Sequence, residues 1–197
     1  MQRPHALLLD FDGLLAEYDH RTHLSELAEV AHCTAAQVDA ALREEGLELA
    51  HARGELDGPQ LLAALNLRLH SRLQAEDWHR ARRAATVVRR DSVTLLHHLR
   101  PGVQVAILTN NGLLTQPVIE QLLPGIPVLC SATLGVRKPD PAVYRAACTA
   151  LHCEPARTLF VDHLFRNVQG ARAAGLLADT AHHTQSLRKL LKRYQLR

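Results

Sequence analysis

The stretch Ala6-Leu7-Leu8-Leu9-Asp10-Phe11-Asp12-Gly13 decides the fold. Four consecutive apolar residues that stop abruptly at carboxylates read as a short strand, buried on both faces, with acidic groups at its carboxyl end. Open α/β sheets keep their ligands at that end of their strands. Asp10 and Asp12 therefore mark the place where chemistry is expected.

Outward from this strand the pattern changes. From Leu14 to Val88 apolar residues recur at three- and four-residue spacings, as in Leu24, Leu27, Val30 and Ala31 and again in Leu61, Leu62, Leu65 and Leu69. No strand pattern interrupts this run, so an all-helical insertion is predicted. Thr34 with Gln37 reads as a capping box, and Asp57-Gly58-Pro59 as the start of another helix with proline at a favourable first-turn position.

Beyond the insertion, strands alternate with helices. Val103 to Leu108 reads as a strand ending in Thr109-Asn110-Asn111-Gly112, Pro127 to Cys130 as a second, and Thr158 to Val161 as a third ending at Asp162. Helices are predicted over Ser92 to Leu99, Thr115 to Leu123, Ala142 to Leu151 and Asn167 to Ala174, the last stopped by Gly175. The alternation predicts a parallel sheet interrupted after its first strand by the helical insertion.

The composition narrows the function classes. A chain of 197 residues suits one α/β domain with an insertion and can bury a sizeable core. The formal charge is +3, with basic residues gathered in Arg80, Arg82, Arg83, Arg89 and Arg90 and in Arg188, Lys189, Lys192, Arg193 and Arg197. Both groups read as solvated helix faces. A nucleic-acid surface would interleave such residues with exposed aromatics, which are scarce here, so no nucleic-acid partner is expected. No apolar run is long enough to cross a bilayer, and the start lacks the features of a signal peptide. A cytoplasmic protein without a membrane partner is expected; nothing in the pattern specifies an oligomer. Cys33, Cys130, Cys148 and Cys153 lack the spacing of a zinc or redox pair and read as free thiols. The histidines, among them His20, His23, His51 and His70, share no ligand spacing and read as surface or boundary residues.

Three strand ends thus deliver Asp10 with Asp12, Thr109 with Asn110, and Asp162, while Lys138 comes from the loop Gly135 to Pro141. Together they would supply a nucleophile, a proton donor, hydroxyl and amide donors, a cation and metal-binding carboxylates. Phosphoryl transfer needs this inventory, because an anionic group repels an anionic attacker unless positive charge intervenes. Taken singly, each segment has a blander reading, as a turn cap or a surface lysine.

In order along the chain, DFDG (10–13), TNN (109–111), RKPDPxxY (137–144) and FVDHxxxNVxxARAAG (160–175) resemble the four motifs of the haloacid dehalogenase-like (HAD) hydrolase superfamily. The resemblance covers essentially the whole chain. It implies a Rossmann-like parallel sheet with helices on both faces over 1–13 and 89–197, and a small helical cap domain over 14–88. It implies Asp10 as nucleophile and metal ligand, Asp12 as general acid/base lending its carbonyl to Mg²⁺, Thr109 as hydrogen-bond partner of a phosphoryl oxygen, and Lys138 as partner of Asp10. Asn110 and Gly13 would face the substrate, with Asp162 and His163 at the metal. The activity implied is a divalent-metal-dependent phosphatase acting on a small phosphorylated metabolite through an aspartyl phosphate.

Asp12 argues against the dehalogenating branch of the superfamily, which resembles DxY at this point. His163 departs from the pattern, since relatives carry a second acid there. Mg²⁺ prefers oxygen, so three outcomes follow: Asp162 takes over, a softer ion such as Mn²⁺, Co²⁺ or Zn²⁺ is used, or the site is weak. The alternatives are therefore a catalytically weak or inactive binding or regulatory protein, and a 2-haloacid dehalogenase. In the insertion, Arg53-Gly54-Glu55-Leu56 resembles a recurrent cap turn, and Tyr18, His20 and Arg21 are placed either at a substrate or on a helix-entry surface.

Overall fold

The computed structural model describes residues 3–44 and 46–197. In chain order the elements are β1 (Ala6–Leu9) and β2 (Ala16–Tyr18), then the helices α1 (His20–Ala31), α2 (Ala35–Arg43), α3 (Leu47–Ala52), α4 (Gly58–Leu69) and α5 (Ala75–Ala84). They are followed by β3 (Thr86–Val88), α6 (Arg90–Leu96), β4 (Gln104–Thr109), α7 (Gln116–Leu122), β5 (Val128–Cys130), α8 (Ser131–Leu134) and α9 (Pro141–Ala150). The chain closes with β6 (Thr158–Asp162), α10 (Phe165–Ala173), β7 (Leu177–Thr180) and α11 (Thr184–Arg193).

Five strands form one parallel sheet in the order β5-β4-β1-β6-β7. β1 lies at its centre, flanked by β4 and β6, with Leu9 opposite Ile107 on one side and Val161 on the other. That register brings the ends of the three strands together, so Asp10, Thr109 and Asp162 leave the sheet side by side. The chain runs outward from β1 through β4 to β5 and then returns to β6 beyond β1. The resulting crevice beside β1 is where such sheets bind ligands.

The apolar run of β1 is buried because both faces of the sheet are covered. Successive side chains point to opposite faces: Leu7 and Leu9 join Ile107, Val161, Ile119 and Leu187 on one side, whereas Leu8 joins Leu108, Phe160, Val143 and Val168 on the other. The α/β architecture expected from the alternation is the one observed. Gly170 on α10 has a role here, because a Cβ at that position would run into the Pro139 carbonyl oxygen.

Helices α1 to α5 carry a separate apolar cluster that includes Leu27, Val38, Leu61, Leu65 and Trp78. Their local signals are those of the sequence: Thr34 with Gln37 and Asp57 with Gln60 form capping boxes. The prediction of no strand between 14 and 88 is corrected, since β2 and β3 pair antiparallel, Ala16 opposite Val88 and Tyr18 opposite Thr86, and frame the helices. Three-residue strands are too short to show a two-residue period. β7 was also unpredicted, because Leu177-Ala178-Asp179-Thr180 at the sheet edge is half polar.

The four cysteines are free. No helix among the described residues is long and apolar enough to cross a membrane. Arg80, Arg83 and the basic residues of α11 are exposed, as expected of solvated faces. Arg82 is not: it is buried. His23 and His51 are likewise buried rather than at the surface.

Candidate functional site

Asp10 follows β1 directly and is held in place by its own backbone, whose N–H donates to the Val161 carbonyl at 2.9 Å. Its Oδ1 accepts from the Lys138 ammonium at 2.6 Å and from the Phe11 N–H at 2.9 Å. Its Oδ2 faces His163 Nδ1 at 3.1 Å. Asp162, the last residue of β6, receives the same ammonium on Oδ2 at 2.9 Å and the Asn167 amide on the same oxygen at 2.9 Å. Its Oδ1 accepts from the Leu164 N–H at 2.7 Å and lies 3.5 Å from His163 Nδ1.

Lys138 is thus a buried cation between two buried carboxylates. Burial alone would lower its affinity for a proton, but the charges and hydrogen bonds of Asp10 and Asp162 outweigh it and hold the ammonium above the ordinary lysine range. The lysine reaches this position because Asn110 clamps its backbone. Asn110 Oδ1 accepts from the Lys138 backbone N–H at 2.8 Å, and its Nδ2 donates to the Lys138 backbone carbonyl at 2.9 Å. Asn110, expected to face the substrate, spends both ends of its side-chain amide on the loop that carries the lysine.

One donor atom each from Asp10, Asp162 and His163 lies within 4.8 Å of the others. Two carboxylate oxygens and an imidazole nitrogen make a donor set that suits a divalent cation. The hydrogen bond to Asp10 raises the His163 pKa above the ordinary value, more than burial lowers it. Gly13, with φ of 83°, lies against the imidazole, and a Cβ there would overlap the ring. Its observed contacts are a turn hydrogen bond to the Ala16 carbonyl at 2.7 Å and acceptance from Arg89 at 3.0 Å.

Asp12 belongs to a second network. The Asn111 amide donates to its Oδ2 at 3.0 Å and to Thr109 Oγ1 at 2.7 Å, which links the ends of β1 and β4. Its Oδ1 accepts from Arg82 at 2.5 Å. Arg82 reaches in from α5 with only 2% of its surface exposed, and its guanidinium lies over the Tyr18 ring at 3.8 Å. The Tyr18 hydroxyl in turn meets His23 Nδ1 at 2.6 Å. Burial pushes Tyr18 up to about 12, against the opposing Arg82 charge, so the phenol keeps its proton.

Arg82 and Asn111 are the site residues that sequence reasoning missed. Asn111 stands in the TNN motif (109–111), which gives it no role of its own. For Arg82 a signal existed, since it lies four residues after Trp78 and next to Ala81 on the buried face of α5. Of the residues named for the insertion, Tyr18 and His23 face an enclosed cavity of about 60 Å³ together with Arg82, His51 and Asn111. Arg21 is exposed, and His20 contacts Asp39 at 3.4 Å. His51 ties the helical block to the segment between β4 and α7, its Nδ1 donating to the Leu56 carbonyl at 2.9 Å while Nε2 accepts from the Leu114 N–H at 3.2 Å.

His23 makes an acid-sensitivity prediction. Burial, with the nearby charge of Arg82, lowers its pKa to about 3. The unfolded chain, with a histidine near the ordinary value of about 6.5, binds the proton more readily throughout the interval between them. Its contribution to stability is therefore fully present above about pH 6.5 and is lost as pH falls toward 3, at up to about 1.4 kcal/mol per pH unit. Urea unfolding at pH 7 and pH 5 is expected to show a loss about 2 kcal/mol larger for the wild type than for His23→Gln. Equal losses would contradict this account of His23.

Comparison with known proteins gives a family and a shared fold. A model of the haloacid dehalogenase-like hydrolase family matches residues 4–175. The chain is 37% identical over 86 residues to phosphatase MT3486 of Mycobacterium tuberculosis (strain CDC 1551 / Oshkosh), a match covering 40% of this chain and 39% of that protein's length. Its fold is shared with a HAD-like family hydrolase from Porphyromonas gingivalis, with TM-score 0.78, 16% identity and 100% of each chain covered. A HAD family enzyme from Bacteroides thetaiotaomicron, solved in complex with magnesium and inorganic phosphate, superposes with TM-score 0.75 at 17% identity, over 89% of this chain and 92% of that one. An L-2-haloacid dehalogenase from Xanthobacter autotrophicus, with chloropropionic acid covalently bound, gives 0.61 at 18% identity, over 98% and 84%. At these identities the solved structures establish the fold alone, but the family model spans most of the chain and the strand-end residues of all four motifs, and the chain belongs to the haloacid dehalogenase-like hydrolases.

Proposed function

We propose that the protein is a phosphatase for a small phosphorylated metabolite, with Asp10 as nucleophile and Asp12 as proton carrier. The observation that carries this reading is the separate wiring of the two carboxylates. Asp10 is held by Lys138 and faces His163, whereas Asp12 is held by Asn111 and Arg82. A nucleophile and an acid/base can act in turn only if their surroundings differ. A dehalogenating mechanism gives no comparable role to a second oriented carboxylate, and the phosphatase named among the relatives points the same way.

In the first step an Asp10 oxygen attacks phosphorus, the bond to the leaving oxygen breaks, and Asp12 gives that oxygen a proton. In the second, water attacks the phosphorus of the aspartyl phosphate, Asp12 takes the water proton, and Asp10 is released with inorganic phosphate. Lys138 neutralises charge on Asp10 and on the phosphoryl group, and Thr109 Oγ1 offers a hydrogen bond to a phosphoryl oxygen. Asp10, Asp162 and His163, with the Asp12 carbonyl, would hold a divalent cation, Mg²⁺ or a softer ion such as Mn²⁺. When bound, it would supply further positive charge against the anionic substrate. Residues 14–88 would act as a cap over the core formed by 1–13 and 89–197, excluding bulk water.

A screen of sugar, nucleotide and short-acid phosphates with Mg²⁺, Mn²⁺ and Co²⁺ tests this reading. Metal-dependent release of phosphate is the expected result; metal-independent release of chloride from chloropropionate, with no phosphate release from any ester, would replace it with the dehalogenase reading. His163→Asp restores an oxygen donor and is expected to tighten Mg²⁺ at least about tenfold, the scale on which even outer-shell changes act. Calorimetric titration measures it. No gain in affinity would remove His163 from the cation site.

A further inference from the structure

A cavity of about 660 Å³ opens beside the loop that delivers Lys138. Arg53, Arg137 and Arg166 line it, together with Asn110 and Lys138. They come from three places: the turn after α3, the loop before α9, and the first turn of α10. Such convergence is not dictated by any one helix face.

The guanidiniums gathered there are poorly compensated. Among the described residues, the Arg137 and Arg166 side chains form no hydrogen bond or ion pair, and Arg137 Nε is buried without a partner. Arg53 has only a loose pair with Glu55 at 3.7 Å. The other acid on the wall, Asp140, uses a carboxylate oxygen to accept from the Ala142 N–H at 2.8 Å, capping α9. Burial and the like charges of Arg53 and Arg166 pull the Arg137 guanidinium below the usual arginine range, against a smaller opposing effect of the Glu48 carboxylate. A buried, unsatisfied donor among like charges is costly unless an anion completes it.

We propose that this cavity is a subsite for a second anionic group of the substrate, a phosphate or carboxylate, so that the enzyme selects small phosphate esters carrying another oxyanion. Asn110 lines both this cavity and the enclosed one beside Arg82, and it also clamps Lys138. Lys138 also lines this cavity while its ammonium meets Asp10 at 2.6 Å, so a molecule whose phosphoryl group sits at Asp10 would extend past the lysine loop toward the arginines. Planar guanidinium forks bind oxyanions through paired N–H donors, which gives both charge and orientation. The inference rests on the phosphatase reading for the other end of the substrate.

The test compares kcat/KM for esters with and without the second anion: phosphoglycerate against glycerol phosphate for a carboxylate, and a hexose bisphosphate against a hexose monophosphate for a phosphate. The wild type is expected to prefer the doubly anionic member of at least one pair. Arg137→Met and, separately, the exposed Arg166→Met are expected to reduce that preference about tenfold each. Whichever pair responds identifies the oxyanion. A preference that stays within about twofold of wild type in both variants overturns the subsite. The same proteins are titrated calorimetrically with inorganic pyrophosphate in the absence of metal, and weaker binding in both variants is expected. If no ester is hydrolysed yet pyrophosphate binding depends on Arg137 and Arg166, the phosphatase reading falls and the anion site stands. Unchanged pyrophosphate affinity in both variants counts against the site itself.

Discussion

Asp10→Asn is expected to reduce phosphatase kcat by about 10⁴-fold or more, because the side chain that forms the covalent intermediate is lost and the remaining groups cannot replace it. The effect should be in kcat rather than in substrate affinity alone. Lys138 keeps a partner in Asp162 after the substitution, so its ammonium is not left stranded in the interior. Steady-state kinetics with the best substrate and cation from the screen measures the change. Wild-type turnover in this variant would exclude Asp10 as nucleophile.

The second large effect is expected at Arg82, a residue without a place in the family motifs quoted for this chain. Arg82→Met keeps much of the side-chain volume and removes the donor that fixes Asp12. A loss of one to two orders of magnitude in kcat is expected, the scale of mispositioned acid/base groups. Stability should change much less. A buried guanidinium carries a desolvation cost that disappears with the charge, and an apolar residue of similar size is often tolerated in its place. Asp12, with 27% of its side chain exposed, can still turn to water. Arg82→Lys retains the charge but not the planar fork or the stack on Tyr18, and should recover only part of the rate. Kinetics paired with thermal unfolding separates the roles. A fall in melting temperature that accounts for all lost activity would make Arg82 a packing residue, and no loss of activity would detach it from Asp12.

These two residues also show what can be read from one chain. Asp10 was legible because its signal is local: a buried apolar strand cannot run on into carboxylates without presenting them at its end. The caps at Thr34 and Asp57 were legible for the same reason, each being written within four residues. Lys138 and Asp162 were reached through the order of the motifs, and the parallel register of β1 with β4 and β6 then explains their meeting at Asp10.

What stayed hidden depended on distant partners. Arg82 pairs with a residue seventy positions earlier, and its polar neighbours Arg80 and Arg83 make the segment resemble a solvated surface. Only the helical spacing from Trp78 hinted otherwise. Likewise His23 is buried by Trp78, whose ring lies 4.8 Å away across the helical block. The hairpin strands β2 and β3 are each three residues long and take their structure from one another. Asn110 carried the motif, yet its amide is used to shape the Lys138 loop; composition cannot distinguish an amide facing substrate from one holding backbone.

The most direct test of the central claim is to quench the enzyme with acid during turnover, reduce with borohydride, and map the peptide containing residue 10 by mass spectrometry. An acyl phosphate on Asp10 is reduced to homoserine, so homoserine at position 10, formed only when substrate is present, is the expected result. Phosphate release with Asp10 unmodified and a different residue found reduced would contradict it.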